Sequence, residues 1–427
     1  MRGSARVEAP NPAAILALDL GAEKVTIAVA VPHGDSYVVR GWIEQPCALM
    51  DQGTLVDLEA ARAVLPAALF AAQERAGVRV RRVVAGVGVG QARAVRARGT
   101  MRTKLPVTLH PAHLDRALDA AADIGLPRDH EVLHVLPTGY IVDGTRVVRS
   151  PLGMRGRAVT ADAVVVTARS QVLDNLQRVL DAAGYELVGA AVEPLAAARA
   201  ALTAEDRARG AVLVDLGAEV TGAAAYRDGV LQGLVCVHAG GSHATRDIAF
   251  ALQLEIEQAE ALKRRAGSAL IESVPADRQV EVQRGRDRLT VSQQTLAGIV
   301  EARMEELFAM VRDGLRAQQV LGIGDRIVLA GGGARLRGAV DLAEQVFEAP
   351  VRLAAPRAPQ GWREAEGDPA CCTALGLLEF AQRSGLMRAE ASSWERLVTD
   401  LRRVVGERAR RTTRRLAIGT ANMQPRN

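Results

Sequence analysis

Two copies of one short pattern decide the fold of this chain: Ala14-Ile-Leu-Ala-Leu-Asp-Leu-Gly21 and Ala211-Val-Leu-Val-Asp-Leu-Gly217. Each copy is an apolar run that closes on Asp-Leu-Gly, and each is followed by a second run of mainly small and apolar residues. The pattern predicts a strand, a tight glycine turn and another strand. Its repetition predicts an α/β fold with two related βαβ lobes facing each other across a cleft.

The rest of the 427 residues divides around this repeat. Apolar periodicity predicts helices over 57–76, 171–183, 245–266, 292–318 and 336–347. Many prolines, short predicted strands and one helix over 111–124 favour a small inserted α+β subdomain. The predicted divisions are a disordered leader (1–13), first-lobe core (14–85 and 163–196), inserted subdomain (86–162), second-lobe core (197–227), second-lobe outer subdomain (228–317), second-lobe core returning to the first lobe (318–382), linker (383–393) and basic amphipathic helix (394–416).

The net charge of +5 is concentrated near the end of the sequence. Residues 394–416 contain eight arginines and three acidic residues, which is +5, so the other residues together are neutral. A basic segment on a neutral body indicates an acidic surface as its partner. No apolar run reaches the roughly 20 residues that span a bilayer. The N-terminal residues also lack the pattern of a secretory signal, so we expect a cytoplasmic protein.

Three glycine-rich turns follow apolar strands: Asp19-Leu-Gly21, Asp215-Leu-Gly217 and Gly331-Gly-Gly333. Glycine lets backbone amides approach phosphate oxygens closely, and a helix after the turn presents its positive N-terminus. Asp19 and Asp215 close their strands where they could hold Mg²⁺ through water, since this ion usually keeps part of its hydration shell.

In this order the turns resemble the nucleotide sites of the superfamily of actin, sugar kinases and DnaK-type chaperones. Within it, residues 14 to about 380 resemble the family of the bacterial cell-division protein FtsA. The motifs that carry this resemblance are Leu133-His-Val-Leu-Pro137, Tyr140-Ile-Val-Asp143, Pro151-Leu-Gly-Met-Arg-Gly156, Gly240-Gly-Ser-His-Ala-Thr-Arg-Asp-Ile-Ala249, Ala259-Glu-Ala-Leu-Lys263 and Ala349-Pro-Val-Arg352.

The resemblance implies an actin-like fold that binds ATP and Mg²⁺ in the cleft. Asp19 and Asp215 would flank the metal, while Glu260 and Lys263 would contact the ribose. The remaining implied nucleotide contacts are Gly21 and Lys24 from the first lobe, Gly217, Gly240 and Gly241 from the second lobe, and Gly331, Gly332 and Gly333 at the adenosine.

Several positions depart from the family pattern. Ala22 stands in place of a small hydroxyl residue in the first turn. In the second turn, the family's Asp-Ile-Gly-Gly-Gly-Thr followed by Asp is replaced by Asp215-Leu-Gly-Ala-Glu-Val220, with Gly222 at the later position. Ala218 adds a methyl group, Glu219 adds a negative charge, and Val220 removes a donor. These departures predict weakened ATP binding with slow or absent hydrolysis.

The basic segment has its own periodicity. One helical face would carry a stripe of apolar residues, namely Trp394, Leu397, Val398, Leu401, Val404 and Val405. Arginines flank this stripe, as expected of a helix lying in an anionic membrane interface. A helix packed on its own protein is the alternative. The run 402–415 contains no aromatic residue for stacking on bases, which argues against a nucleic-acid partner.

The family resemblance implies a peripheral membrane protein at the division septum, on the cytoplasmic face of the membrane. Its partners would be filaments of the tubulin-like protein FtsZ, other division proteins and further copies of itself. A pilus-assembly adaptor of the PilM kind, with the same fold, is the main alternative. An active phosphotransferase of the sugar-kinase type is disfavoured, because no catalytic base stands out beyond the cleft aspartates.

Overall fold

A computed structural model describes residues 11–145, 147–320, 326–356 and 367–387. In chain order its strands are β1 (Ile15–Leu20), β2 (Lys24–His33), β3 (Ser36–Pro46), β4 (Met50–Asp51), β5 (Thr54–Leu55), β6 (Arg82–Val87), β7 (Ala92–Thr108), β8 (His130–Val142), β9 (Val147–Val148), β10 (Arg155–Arg169), β11 (Glu186–Val192), β12 (Ala211–Leu216), β13 (Thr221–Arg227), β14 (Val230–Val237), β15 (Gln279–Arg284), β16 (Asp287–Ser292), β17 (Arg326–Ala330) and β18 (Val351–Leu353). Its helices are α1 (Leu58–Ala76), α2 (Pro111–Ala122), α3 (Ser170–Ala182), α4 (Glu193–Ala201), α5 (Ala204–Arg209), α6 (Gly241–Leu252), α7 (Ile256–Ala266), α8 (Gln293–Ala317), α9 (Ala339–Phe347) and α10 (Cys372–Arg383).

The repeated Asp-Leu-Gly segments form equivalent strands of two five-stranded sheets. The first sheet has the order β3-β2-β1-β6-β11 and the second has the order β14-β13-β12-β17-β18. In both, the first three strands are antiparallel and the last three are parallel. The predicted two-lobed α/β fold built from a duplicated unit is therefore confirmed.

Alternate residues of the repeated strands pack on opposite faces of each sheet, as a period of two requires. In β1, Leu16 and Leu18 pack beneath α1 and α3, while Ile15 and Ala17 pack against α10. In β12, Leu213 packs against α4, and its neighbours on either side face α8 and α9. Helices α4 and α10 pack against each other and contribute to the cores of both lobes.

The inserted subdomain is a four-stranded sheet of order β7-β10-β8-β9 with α2 packed on it. Its three main strands are long, not short as the sequence suggested. Strand β10 continues across the boundary predicted at 162, so residues 163–168 pair within the inserted sheet instead of the first-lobe sheet. Val164 and Val166 on one face of this segment are buried at the junction of the insertion with both lobes, and Ala163 and Val165 on the other face are buried as well, so the segment is apolar on both faces.

Several predicted helices differ at their ends. The helix predicted over 245–266 is two helices, α6 and α7, separated where Gln253 adopts a left-handed conformation with φ 53°. The helix predicted to begin at 336 begins at Ala339, after Gly338 with φ 74°. Residues 1–10 of the predicted leader, most of the predicted linker, and the basic segment with Trp394, Leu397, Val398, Leu401, Val404 and Val405 lie outside the described residues. Among the helices that are described, none is long and apolar enough to cross a bilayer.

Candidate functional site

The turns after β1 and β12 have the same geometry. The Gly21 amide donates to the Lys24 carbonyl at 2.9 Å, and the Gly217 amide donates to the Val220 carbonyl at 3.1 Å. A Cβ at Gly217 would lie 2.5 Å from the Val220 carbonyl oxygen, so the second turn accepts only glycine at this position. The two equivalent strands thus deliver Asp19 and Asp215 to matching ends of the two sheets.

Asp19 and Asp215 interact across the cleft. The pKa of Asp19 is raised to about 7, first by burial and then by the charge of Asp215, while the charge of Lys24 acts to lower it. Burial also raises the pKa of Asp215 to about 6, against a hydrogen bond from the Thr373 hydroxyl to its Oδ2 at 3.3 Å and the charge of Lys24. The two aspartates that the sequence singled out therefore belong to one electrostatic site.

Glu193 is a third acidic member of this site, and it was not predicted from the sequence. Burial first, and then the charges of Asp19 and Asp215, raise its pKa well above the ordinary value. Gly86 makes room for the pair, because a Cβ there would lie 3.1 Å from Glu193 Cγ and 3.8 Å from Asp19 Oδ1. Glu193 begins α4 directly after β11, and the carboxyl ends of parallel strands share one edge of a sheet. The position of Glu193 at that edge is the feature of the sequence from which its place in the site could have been predicted.

Lys24 is a cation whose charge acts on both aspartates of this acidic site. Its Nζ forms an ion pair with Glu44 Oε2 at 2.8 Å, and its charge lowers the pKa of both Asp19 and Asp215. In the described part of the chain, no three His, Cys, Asp or Glu side chains could together hold a metal ion directly. Carboxyl groups that resist ionisation without a counter-charge fit a cation held through its own water shell, the mode that Mg²⁺ prefers.

Gly240 and Gly241 join the second turn to the start of α6. The Gly241 amide donates to the Gly217 carbonyl at 3.0 Å, and the Ser242 amide donates to the Ala218 carbonyl at 2.8 Å. A Cβ at Gly240 would lie 2.4 Å from the Gly217 carbonyl oxygen, so this approach requires glycine. The predicted second-lobe contacts are therefore brought together.

Glu260 and Lys263 form a network that ties α7 to the start of α6. Lys263 Nζ lies 2.6 Å from Glu260 Oε2 and donates to the Gly241 carbonyl at 2.8 Å and to Thr245 Oγ1 at 2.7 Å. Burial acts to raise the pKa of Glu260, but hydrogen bonds from Lys263, Thr245 and Arg264 outweigh it and lower the pKa. Both predicted ribose contacts are thus held in fixed positions beside Gly241.

The third glycine turn packs against the second. Gly331 has φ 84° and ψ 170°, and a Cβ there would lie 2.5 Å from the Leu216 carbonyl oxygen and 2.6 Å from Asp215 Oδ1. At Gly332 a Cβ would have no heavy atom within 4 Å, whereas at Gly333 it would lie 3.0 Å from Leu216 Cβ. The last turn therefore lies directly beside the acidic site. Of its three glycines, only Gly332 has open space where a Cβ would be.

The departures in the second turn have structural partners. Glu219 Oε2 accepts a hydrogen bond from the Gln52 amide at 2.9 Å, and Val220 packs in the apolar cluster at the base of the inserted subdomain. A Cβ at Gly222 would lie 2.3 Å from Pro194 Cγ, so an aspartate cannot fit there without moving α4. The altered turn is thus integrated into the packing of this chain. Ala22 and Ala218 provide no side-chain hydroxyl.

Two family models match the sequence. The model for the cell division protein FtsA matches residues 212–376, and the model for the SHS2 domain inserted in FtsA matches residues 90–167. The cell division protein FtsA of Pseudomonas aeruginosa is 32% identical over 372 residues, which cover 86% of this chain and 88% of that protein. FtsA of Bacillus subtilis is 28% identical over 372 residues, covering 86% of this chain and 83% of that protein.

Solved structures with the same fold are more distant in sequence. The PilM-PilN type IV pilus biogenesis complex contains a chain with a TM-score of 0.62 and 18% identity, and the match covers 86% of this chain and 98% of that one. MreB5 of Spiroplasma citri bound to ADP gives a TM-score of 0.54 and 14% identity, covering 89% of this chain and 99% of that one. These likenesses confirm the actin-like fold and extend no further.

Proposed function

This chain belongs to the FtsA family of cell-division proteins, and from that membership we propose that it attaches FtsZ filaments to the cytoplasmic face of the membrane at the division septum. It also helps to recruit other division proteins and associates with further copies of itself. The observation that carries the proposal is the 32% identity to an FtsA protein over 86% of the chain, which includes both lobes and the insertion.

The cleft is proposed to bind ATP with Mg²⁺. The convergence of Asp19, Asp215 and Lys24 near three glycine turns supports this assignment, as does the MreB5 fold, which accommodates ADP. Asp19 and Asp215 would hold the hydrated metal, and Glu193 would face the same space. We propose that hydrolysis is slow or absent, because the second turn carries Glu219 and Val220 where the family has Gly and Thr.

The outer subdomain of the second lobe is the proposed filament-binding face. Phe250 is 89% exposed near the end of α6, and Ile256 is 50% exposed at the start of α7, on either side of one turn. Lys263 on α7 donates to Thr245 Oγ1 on α6 at 2.7 Å, so the two helices that present this surface are held together. Asp247 on α6 also forms an ion pair with Arg303 on α8 at 2.6 Å. Large exposed apolar side chains on helices that are held in place are typical anchors for a bound protein segment.

The basic segment over 394–416 is the proposed membrane anchor. Its apolar stripe covers only about three helical turns, so a single copy would bind a membrane weakly. Filaments would compensate for this weakness, because each added tether acts at a high effective concentration once its neighbours are bound. Membrane attachment and self-association therefore depend on each other in this proposal.

Sedimentation with vesicles containing anionic lipid tests the proposal. The full chain is compared with a chain ending at Ala391, which retains the buried residues Leu386 and Met387 and removes the whole stripe. A second variant, Leu397→Glu with Leu401→Glu, places two charges on the stripe. Its matched control, Thr399→Glu with Thr413→Glu, adds the same charge on other faces of the predicted helix. Each protein is measured with and without FtsZ filaments.

The proposal predicts that the full chain and the control variant sediment with vesicles and bring FtsZ with them. The shortened chain and the variant charged on the stripe would stay in the supernatant. If all four proteins behave alike and none brings FtsZ down, the tether assignment is wrong. An adaptor of the PilM kind would then be the function to test next.

A further inference from the structure

The duplicated turns share two residues beyond Asp-Leu-Gly, and one of them has a parallel role in both lobes. The sequences are Asp19-Leu-Gly-Ala-Glu23 and Asp215-Leu-Gly-Ala-Glu219. Each glutamate occupies the third position of the turn closed by the glycine amide of its own copy. In each copy this glutamate contacts the opposite lobe.

Glu219, from the second lobe, contacts the β4–β5 hairpin of the first lobe. Its Oε2 accepts from the Gln52 amide at 2.9 Å, and its Oε1 lies 3.4 Å from an Arg246 guanidinium nitrogen on α6. Gln52 adopts φ 47°, and its carbonyl accepts from Gln91 Nε2 at 3.3 Å, so the hairpin is fixed from both sides. The Glu219 side chain is 20% exposed, whereas its partner Gln52 lies at the surface.

Glu23, from the first lobe, contacts α7 of the second lobe. Its Oε2 lies 3.3 Å from an Arg264 guanidinium nitrogen. The same guanidinium donates from Nε to Glu260 Oε1 at 2.5 Å, so Arg264 is oriented by the network that also holds Lys263. An exposed ion pair of this kind is weak alone, but a partner already held in place loses less side-chain entropy when it pairs.

We propose that Glu23 and Glu219 form a reciprocal pair of latches that keep the two lobes closed across the cleft independently of nucleotide. Both contacts span the cleft, so a rotation that opens the lobes breaks both together. A carboxylate in the second turn then has a positive role, since it joins that turn to the first lobe without requiring a bound phosphate. This inference requires neither nucleotide nor FtsZ binding and goes beyond the proposed function.

Hydrogen exchange of the full-length protein without nucleotide tests the latches, because the Gln52 amide is itself a donor to Glu219. In Glu219→Ala, we expect exchange in residues 50–55 to accelerate by about tenfold, the effect of losing one hydrogen bond to a charged group. Glu219→Gln keeps an acceptor and should give a smaller increase. Glu305→Ala removes an exposed charge from α8 of the same lobe and should leave the hairpin unchanged.

Glu23→Ala tests whether the two contacts hold one closed state. Glu23 does not touch the hairpin, so the substitution Glu23→Ala can accelerate exchange in residues 50–55 only by favouring opening of the lobes. We expect the exchange rate there to rise about threefold. Protection of β12 in every variant serves as the check that the fold persists. An unchanged hairpin in Glu219→Ala would refute the latch, and an unchanged hairpin in Glu23→Ala would refute the reciprocal coupling.

Discussion

At the scale of single residues, the acidic site keeps protons that the unfolded chain would release. The pKa of Asp19 is raised to about 7 and that of Asp215 to about 6, and the pKa of Glu193 is raised in the same direction. Between the unfolded and folded values the native state binds more protons than the unfolded state. The contribution of these residues to stability is therefore fully present below about pH 4 and is lost as the pH rises toward 7.

Asp19→Asn removes one of the groups that resist ionisation. We expect it to raise the free energy of unfolding at pH 8 by about 2 kcal/mol. This is less than the pKa shift of one isolated group would give, because Asp215 and Glu193 share the electrostatic cost of ionisation with Asp19. At pH 4 the variant and the parent should differ little. Urea unfolding at both pH values measures this, with Asp277→Asn on an exposed turn as the control. Equal stability at pH 8 would contradict the electrostatic account.

Gly331 and Gly332 are neighbours whose substitution by alanine should have very different effects on stability. Gly331→Ala forces a methyl group into the Leu216 carbonyl and the Asp215 carboxyl group, at a φ of 84° that suits only glycine. We expect a loss of about 3 kcal/mol of stability from strain and overpacking together. Gly332→Ala meets open space and should change stability by less than about 0.5 kcal/mol. Thermal or urea unfolding of the two variants decides the matter, and similar losses in both would refute the packing described for Gly331.

At the scale of elements, the sequence predicted what depends on local pattern and missed what depends on distant contacts. The repeat, α1 and α8 follow from apolar periodicity, and all are present. The break between α6 and α7 was missed because its left-handed residue is Gln253 and not glycine. The true extent of β10 was missed because burial by both lobes makes its second half look like an ordinary core strand.

Helices α4 and α10 illustrate a packing relation that no local pattern predicts. A Cβ at Gly376 in α10 would lie 1.7 Å from the Ala196 carbonyl oxygen in α4, so the two backbones touch. Gly376→Ala must separate the helices, and since α4 begins with Glu193 the acidic site would shift too. We expect a loss of at least about 3 kcal/mol, against the small gain from better helix propensity.

Gly298→Ala is the matched control, since Gly298 also lies inside a helix and its Cβ would be 3.4 Å from Ile271 Cδ1, an ordinary contact. We expect this substitution to be neutral or to stabilise by about 0.5 kcal/mol through helix propensity. Urea denaturation midpoints of the two variants give the comparison. A neutral Gly376→Ala would mean that α4 and α10 are less closely packed in solution than described.

At the scale of the whole molecule, the duplicated sequence correctly predicts two lobes, while the contacts between them are specified by pairs far apart in the chain. The Asp-Leu-Gly repeats brought Asp19 and Asp215 to one cleft as expected. Glu193 joins them from the carboxyl end of β11, which is a weak signal in the sequence, and Glu219 accepts from the Gln52 amide 167 positions away. A single sequence does not show which distant residues meet, because each residue alone is chemically ordinary.

After α10 the chain returns to the first lobe, and this packing also joins residues that are far apart in the sequence. Leu386 is fully buried with Ile15 and Val84, and its carbonyl accepts from Arg82 Nη1 at 2.6 Å. A chain ending at Ser384 therefore exposes a cavity and removes one of the two carbonyl acceptors of Arg82 Nη1, the other being that of Pro12 at 2.9 Å. We expect it to lose about 3 kcal/mol relative to a chain ending at Ala391, the range for deleting a large buried side chain. Leu386→Ala in the longer chain should reproduce most of that loss, and equal urea midpoints for the two truncated chains would show that the first lobe closes without this segment.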